Sequence, residues 1–164
     1  MSEISQHELE DFIKSYQMLM ASQQTLLLST ASVTGSPDIS YAPFVCDPAG
    51  VFYIYISEMA CHTAHLMANP HASILFIRSE SETANLFARE RVVLNCRVEE
   101  ISRDEIIYSD SLDAMHDKFG EVVNVLRSLS DFHLFALRPE TGRYVVGFGR
   151  AFKIDVNDGS LLHI

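Results

Sequence analysis

The chain of 164 residues is 48% apolar, which fits one domain whose core can offset chain entropy without covalent or metal staples. Twelve Lys and Arg against 22 Asp and Glu give a net charge of −10, and no basic stripe is present, so nucleic-acid binding is excluded. Cys46, Cys61 and Cys96 are odd in number and lack C-x-x-C spacing, which excludes a disulfide framework or a zinc knuckle and points to a reducing compartment.

Ser5-Gln6-His7-Glu8 has the form of a capping box, and Leu9, Phe12, Ile13, Tyr16 and Met20 follow at helical spacing, predicting one amphipathic helix to about Ser22. The period then changes. Thr25 to Ser32, Ile39 to Cys46 and Val51 to Ile56 read as three strands, separated by Thr34-Gly35-Ser36-Pro37 and Asp47-Pro48-Ala49-Gly50. Together they make an antiparallel meander. Ser57 is a candidate N-cap for a short helix through Leu66, stopped by Asn69-Pro70. Ala72 to Arg78 and Arg91 to Ile101 are further strands, with a polar loop over Ser79 to Asn85 between them.

Ser102-Arg103-Asp104-Glu105 repeats the capping-box pattern before a helical region whose stripe is Leu112, Met115, Phe119, Val122 and Leu126, with Gly120 placed to split it. Phe132 to Leu137 and Arg143 to Ile154 read as a closing hairpin around Pro139-Glu140-Thr141-Gly142. Gly147-Phe148-Gly149 reads as a bulge or a close backbone packing inside the last strand. The pattern is α+β with an antiparallel barrel, because closure removes exposed edges. A single domain is expected: a helix packed on the barrel over 1–24, the barrel over 25–156 and a tail over 157–164. Met1 to Gln6 lacks the basic start and apolar run of a leader, and no stretch reaches the roughly 20 apolar residues of a membrane span. A cytoplasmic protein without membrane insertion is therefore expected.

Neither a nucleophile elbow nor a phosphate-cradling loop is present, and Cys61 beside His62 faces a different side of its helix and reads as a structural thiol, buried or half-buried. His62 and His65 stand i, i+3 and can share a face, with His71 beyond, but no carboxylate completes an H-E-x-x-H pattern. His133, inside Phe132-His133-Leu134-Phe135, reads as a hydrogen-bonded barrel histidine, and Asp131 as a solvated carboxylate at the strand's start. His163 lies in the tail, where a histidine is ordinarily free, although a neutral imidazole there can swing onto a cofactor. Arg89 and Arg91 flank Glu90 at a strand mouth, either as an exposed ion-pair cluster or as partners for a propionate or phosphate.

Leu26-Leu27-Leu28-Ser29-Thr30-Ala31, Ser40-Tyr41-Ala42-Pro43-Phe44, His62-Thr63-Ala64-His65-Leu66 and Asn69-Pro70-His71-Ala72-Ser73, in this order, resemble the pyridoxamine-phosphate-oxidase-like, FMN-binding split-barrel superfamily. Three later stretches are similar to its HugZ/HutZ-type haem-utilisation branch: Leu86 to Val92 with Asn95 to Glu99, Ser130 to Phe135, and Gly142 to Ala151. The resemblance covers about Thr25 to Ile154.

What it implies is a homodimeric antiparallel split β-barrel with two equivalent sites at the subunit interface. Haem would bind there and be opened in a haem-oxygenase-like reaction using O₂ and an external electron donor. Carried onto this chain, the resemblance makes His163 the proximal iron ligand and Asp131 the acidic residue that bonds its imidazole from the partner subunit. Arg91 becomes a basic residue near the haem, Arg89 a candidate for a propionate, and His62 a residue lining the pocket. A carboxylate on the far imidazole nitrogen would fix the tautomer and tune ligand basicity. The sequence ends one residue after His163, where family members carry more chain. FMN-dependent redox chemistry on the same fold, or a non-enzymatic haem carrier or store, are the alternatives.

Overall fold

A computed structural model describes residues 4–164. Helix α1 (Gln6–Ala21) starts at the predicted capping box: the Glu8 N–H bonds the Ser5 side chain, and the Glu8 carboxylate accepts from the Ser5 N–H. Tyr16 and Leu19 on its inner face are buried in the barrel core. The strands are β1 (Thr25–Ala31), β2 (Pro37–Cys46), β3 (Phe52–Ser57), β4 (His71–Ile77), β5 (Arg91–Ile101), β6 (Phe132–Gly147), β7 (Arg150–Ile154) and β8 (Leu161–His163). They run in the order β3-β2-β1-β4-β5-β6-β7-β8, and β3 also pairs with β6. That last pairing closes a six-stranded antiparallel barrel and leaves β7 and β8 as an extension beyond it.

Two cores explain the sequence pattern. Inside the barrel, Leu26, Leu28, Phe44, Phe52, Ile54, Ile74, Phe76, Val92 and Leu94 interdigitate, with Phe44, Phe52 and Phe76 in mutual ring contact. Outside it, helices α3 (Ile106–Phe119) and α4 (Val122–Arg127) cover the opposite face of β3 and β6, burying Tyr53, Tyr55, Leu112, Met115, Leu134 and Ala136. Covered on both faces, β3 reads as an unbroken apolar run rather than an alternating one. Gly120, at φ +82°, separates the two helices where a β-carbon would strain the backbone.

Four expectations are corrected. The short helix α2 runs Cys61–Ala68 with Ala60 at its N-cap, because Ser57 ends β3 and uses its hydroxyl elsewhere. Cys61, at the first turn of that helix, is exposed rather than buried. Pro139-Glu140-Thr141-Gly142 is not a turn: β6 continues through it, held along its length by the 11 residues of β5, and absorbs one extra residue as a bulge. Gly142 is required there because a β-carbon would lie 2.9 Å from Ile154 and from Leu94. The reversal comes instead at Phe148-Gly149, and residues 157–164 form a turn and the strand β8 rather than a free tail.

Candidate functional site

The residues singled out from sequence fall into two groups at opposite ends of β6. At its beginning, Asp131 is half-buried, and its carboxylate accepts a 2.8 Å hydrogen bond from the Ser57 hydroxyl. Its carbonyl accepts from the Glu58 N–H, also at 2.8 Å. Three side chains that the sequence scattered meet beside it: His133 Nδ1 lies 2.5 Å from Glu100 and Nε2 lies 2.6 Å from Glu58. Burial alone would lower the His133 pKa, but the bonds to Glu100 and Glu58 outweigh it and raise it. His62 belongs to this side through α2, which packs on β1 and β2, where Thr30 bonds His65 at 3.0 Å. Burial lowers the His62 pKa, and the proximity of Asp38 does not restore it, so its imidazole is neutral at pH 7.

At the other end of β6, Arg91 opens β5 directly opposite Val145. Its guanidinium donates to the Arg89 carbonyl at 2.9 Å, and it lines a cavity of about 180 Å³ with Val93, Arg143 and Ile164. Arg89 donates to the Arg78 carbonyl at 2.6 Å and reaches Glu80 at 3.5 Å. Glu90, read only as the spacer between two arginines, is the buried centre of this end. It accepts from Tyr144 at 2.6 Å, Ser15 at 2.7 Å and Arg78 at 2.5 Å. Burial raises its pKa and these three donors more than reverse that, so it stays ionised. Its place in the alternation with Val92 and Leu94 was the available signal that it points inward.

His163 lies in β8, and its side chain is engaged within the chain. In the β7–β8 register it stands opposite Phe152, its ring 5.2 Å from that ring, and Nε2 donates to the Gly149 carbonyl at 2.9 Å. This is the face of β7 that packs on Phe12 of α1. Arg91 and Arg143 project from the opposite face, since the residues alternating with them, Val92 and Tyr144, are the buried ones. Within one chain the fold therefore does not bring His163, Arg91 and Asp131 together. Asp131 and Val145 are 14 residue steps apart, about 45 Å of strand contour at the usual rise.

Two apolar features accompany the basic end. The 86–88 turn packs against β6, and it presents Phe87 at 91% exposure while the Asn85 side chain accepts the Phe87 N–H. Phe148, 70% exposed, caps the adjacent β6–β7 turn. Separately, the outer face of β2, β1, β4 and β5 carries a row formed by Tyr41, Leu27, Leu75 and Val93, each opposite the next in register. Ile39 extends it, and Ile39 and Tyr41 are 72% and 64% exposed. Among the described residues no helix is long and apolar enough to cross a membrane.

The profile of the family described as pyridoxamine 5'-phosphate oxidase matches residues 6–146. The chain is 37% identical over 153 residues to the heme oxygenase HutZ of Vibrio cholerae, covering 93% of this chain and 85% of that one. It is 31% identical to the chloroplastic non-canonical heme oxygenase HOZ of Arabidopsis thaliana, covering 77% of this chain but only 37% of the plant protein. Among solved structures, Campylobacter jejuni ChuZ matches with a TM-score of 0.83 and 32% identity, covering 94% of this chain and 63% of that one. Vibrio cholerae HutZ, described there as a heme storage protein, matches at 0.69 and 35%, covering 82% and 89%. With the six-stranded closure described above and a family match over residues 6–146, the chain belongs to the pyridoxamine 5'-phosphate oxidase family of split β-barrels.

Proposed function

We propose that this protein binds haem and degrades it oxidatively for iron utilisation, at two equivalent sites that each join the acidic end of one subunit to the basic end of another. The single observation that carries the site is the separation of Asp131 from Arg91 at opposite ends of β6, which favours a porphyrin shared between two chains. The exposed row from Tyr41 to Val93 is the surface on which two copies would meet, since apolar patches of this kind mark interfaces. A twofold dimer then supplies each site with reciprocal halves.

The residues present fit haem. A flat apolar ring with two carboxylates matches exposed Phe87 and Phe148 beside Arg89, Arg91 and Arg143. His163 would serve as iron ligand once its bond to Gly149 is released. Among the described residues no donor reaches the second carboxylate oxygen of Asp131, which leaves it for the ligand's far nitrogen. The porphyrin is itself the group oxidised, with O₂ as oxidant and an external donor supplying electrons. The relatives named as haem oxygenases, HutZ and HOZ, favour this chemistry, and we assign the protein to the cytoplasm, where reduced donors and free thiols coexist.

A second reading, a haem store, draws on the description of the solved HutZ structure. Haemin titration followed by absorption separates the readings. A saturable Soret shift at about one haem per subunit, largely lost in His163→Ala, supports the site. Aerobic ascorbate should then bleach the Soret band and release iron; a band that persists favours storage. Flavin bands with no saturable haemin response would replace haem by FMN.

A further inference from the structure

We propose that Glu58, His133 and Glu100 form a charged clamp that positions Asp131, making His133 a positioning residue for the acidic half of the haem site. The inference rests on the reading of Asp131 as a haem-site residue. The clamp joins three segments: Glu58 follows β3, Glu100 lies near the end of β5, and His133 is the second residue of β6. Both imidazole nitrogens meet carboxylate oxygens, at 2.5 and 2.6 Å, an arrangement that favours the doubly protonated, cationic ring.

Asp131 hangs directly on this clamp. Its carbonyl takes the Glu58 N–H and its carboxylate takes the hydroxyl of Ser57, whose oxygen is held in turn by the Met59 N–H. The other charged group facing the segment is Arg103, whose guanidinium donates to the carbonyls of Ser130 and Phe132 at 3.0 and 3.3 Å. Arg103 fixes the backbone on one side, and the Ser57-Glu58 segment fixes Asp131 on the other. Glu58 is more than half exposed and has no partner among the described side chains except His133. Removing the imidazolium therefore frees Glu58 and leaves it beside Glu100 as a like charge. The arrangement is not a metal site: both ring nitrogens are taken, and no group among the described residues is arranged to hold a metal ion.

The test uses the haem-loaded full chain, reduced to the ferrous state, and reads the iron–histidine stretch by resonance Raman. Asp131→Asn should move the stretch. His133→Gln and the milder Glu100→Gln should move it in the same direction by a smaller amount, with haem affinity changed by no more than about threefold. A His133→Gln signature identical to wild type, when Asp131→Asn differs, would overturn the clamp and leave the haem reading standing. In the haem-free protein, His133→Gln should speed exchange of the Glu58 amide about tenfold, the scale of one lost charge-assisted bond. If Asp131→Asn leaves the stretch unchanged, the assignment of Asp131 fails, and accelerated Glu58 exchange would support the clamp alone. Unchanged exchange removes it.

Discussion

Where β6 begins, Glu58 and Glu100 hold one histidine between them, with Asp131 tied to the Glu58 backbone; where it finishes, Arg78 holds one buried carboxylate, Glu90, flanked in sequence by Arg89 and Arg91. Each end is centred on a group of the opposite charge, with Arg103 and Glu80 as further counter-charges at the margins. The two counter-charges differ in kind. Glu90, its pKa lowered by three donors, is ionised at neutral pH and shielded by α1, whereas the charge at the other end is that of an imidazole, whose pKa Glu100 and Glu58 raise. The basic end is thus fixed and the acidic end adjustable, though one strand carries both.

The largest effect expected tests whether the ends work in pairs. Asp131→Asn and His163→Ala chains should each be defective as homodimers. Mixed by co-refolding, they should recover about a quarter of wild-type sites, because half of a random mixture is heterodimer and one of its two sites is intact. Recovery of nothing would place both residues' roles within one chain. The next effect is on stability. Glu90→Ala should cost about 2–3 kcal/mol by urea denaturation, since it orphans Tyr144 and Arg78 in a closed site. Because the Glu90 pKa is lowered on folding, its contribution is present above the ordinary carboxylate range and is lost as pH falls through the folded value. The gap between wild type and Glu90→Gln should therefore close only in acid. A gap that closed on raising the pH would contradict the assignment of Glu90 as an ionised centre. The smallest effect is Phe87→Ser, which should weaken haem binding about tenfold and change unfolding stability by less than about 0.5 kcal/mol, the ring being exposed. Equal losses in binding and stability would make Phe87 a structural residue.

Much of this fold was legible locally. The capping box at Ser5 and the helix break at Gly120 are short-range signals, and both stand where the sequence put them. Pro139-Glu140-Thr141-Gly142 has the composition of a turn, while the ladder with β5 that continues on both sides of the bulge and overrides it is a long-range fact. β8 spans only Leu161–His163, too few residues to show a period. The site divides the same way. Asp131, Arg91 and His163 could be named from motifs, but the partners of His133 lie 33 and 75 residues away and no spacing announces them.

The bulge in β6 has a consequence for what the chain tolerates. Phe135 and Leu137, both odd-numbered, point into the barrel, and so do Gly142 and Tyr144, both even-numbered; the change of parity is made by Glu140, which is left over between the pairs Cys96–Pro139 and Asn95–Thr141. Deleting Glu140 would make Pro139 and Thr141 neighbours, as their partners Cys96 and Asn95 already are, so Phe135 and Tyr144 would both still face the barrel and only the local bend would be lost. Substitutions at this exposed position, and even its loss, should be accepted, whereas a one-residue gap at Leu137 should not, since it would put Arg138 and Glu140 opposite Val98 and Cys96 in the barrel. A single unpaired residue thus takes up the slack between the two halves of the strand, and elsewhere along it the ladder fixes the number of residues more strictly than their identity.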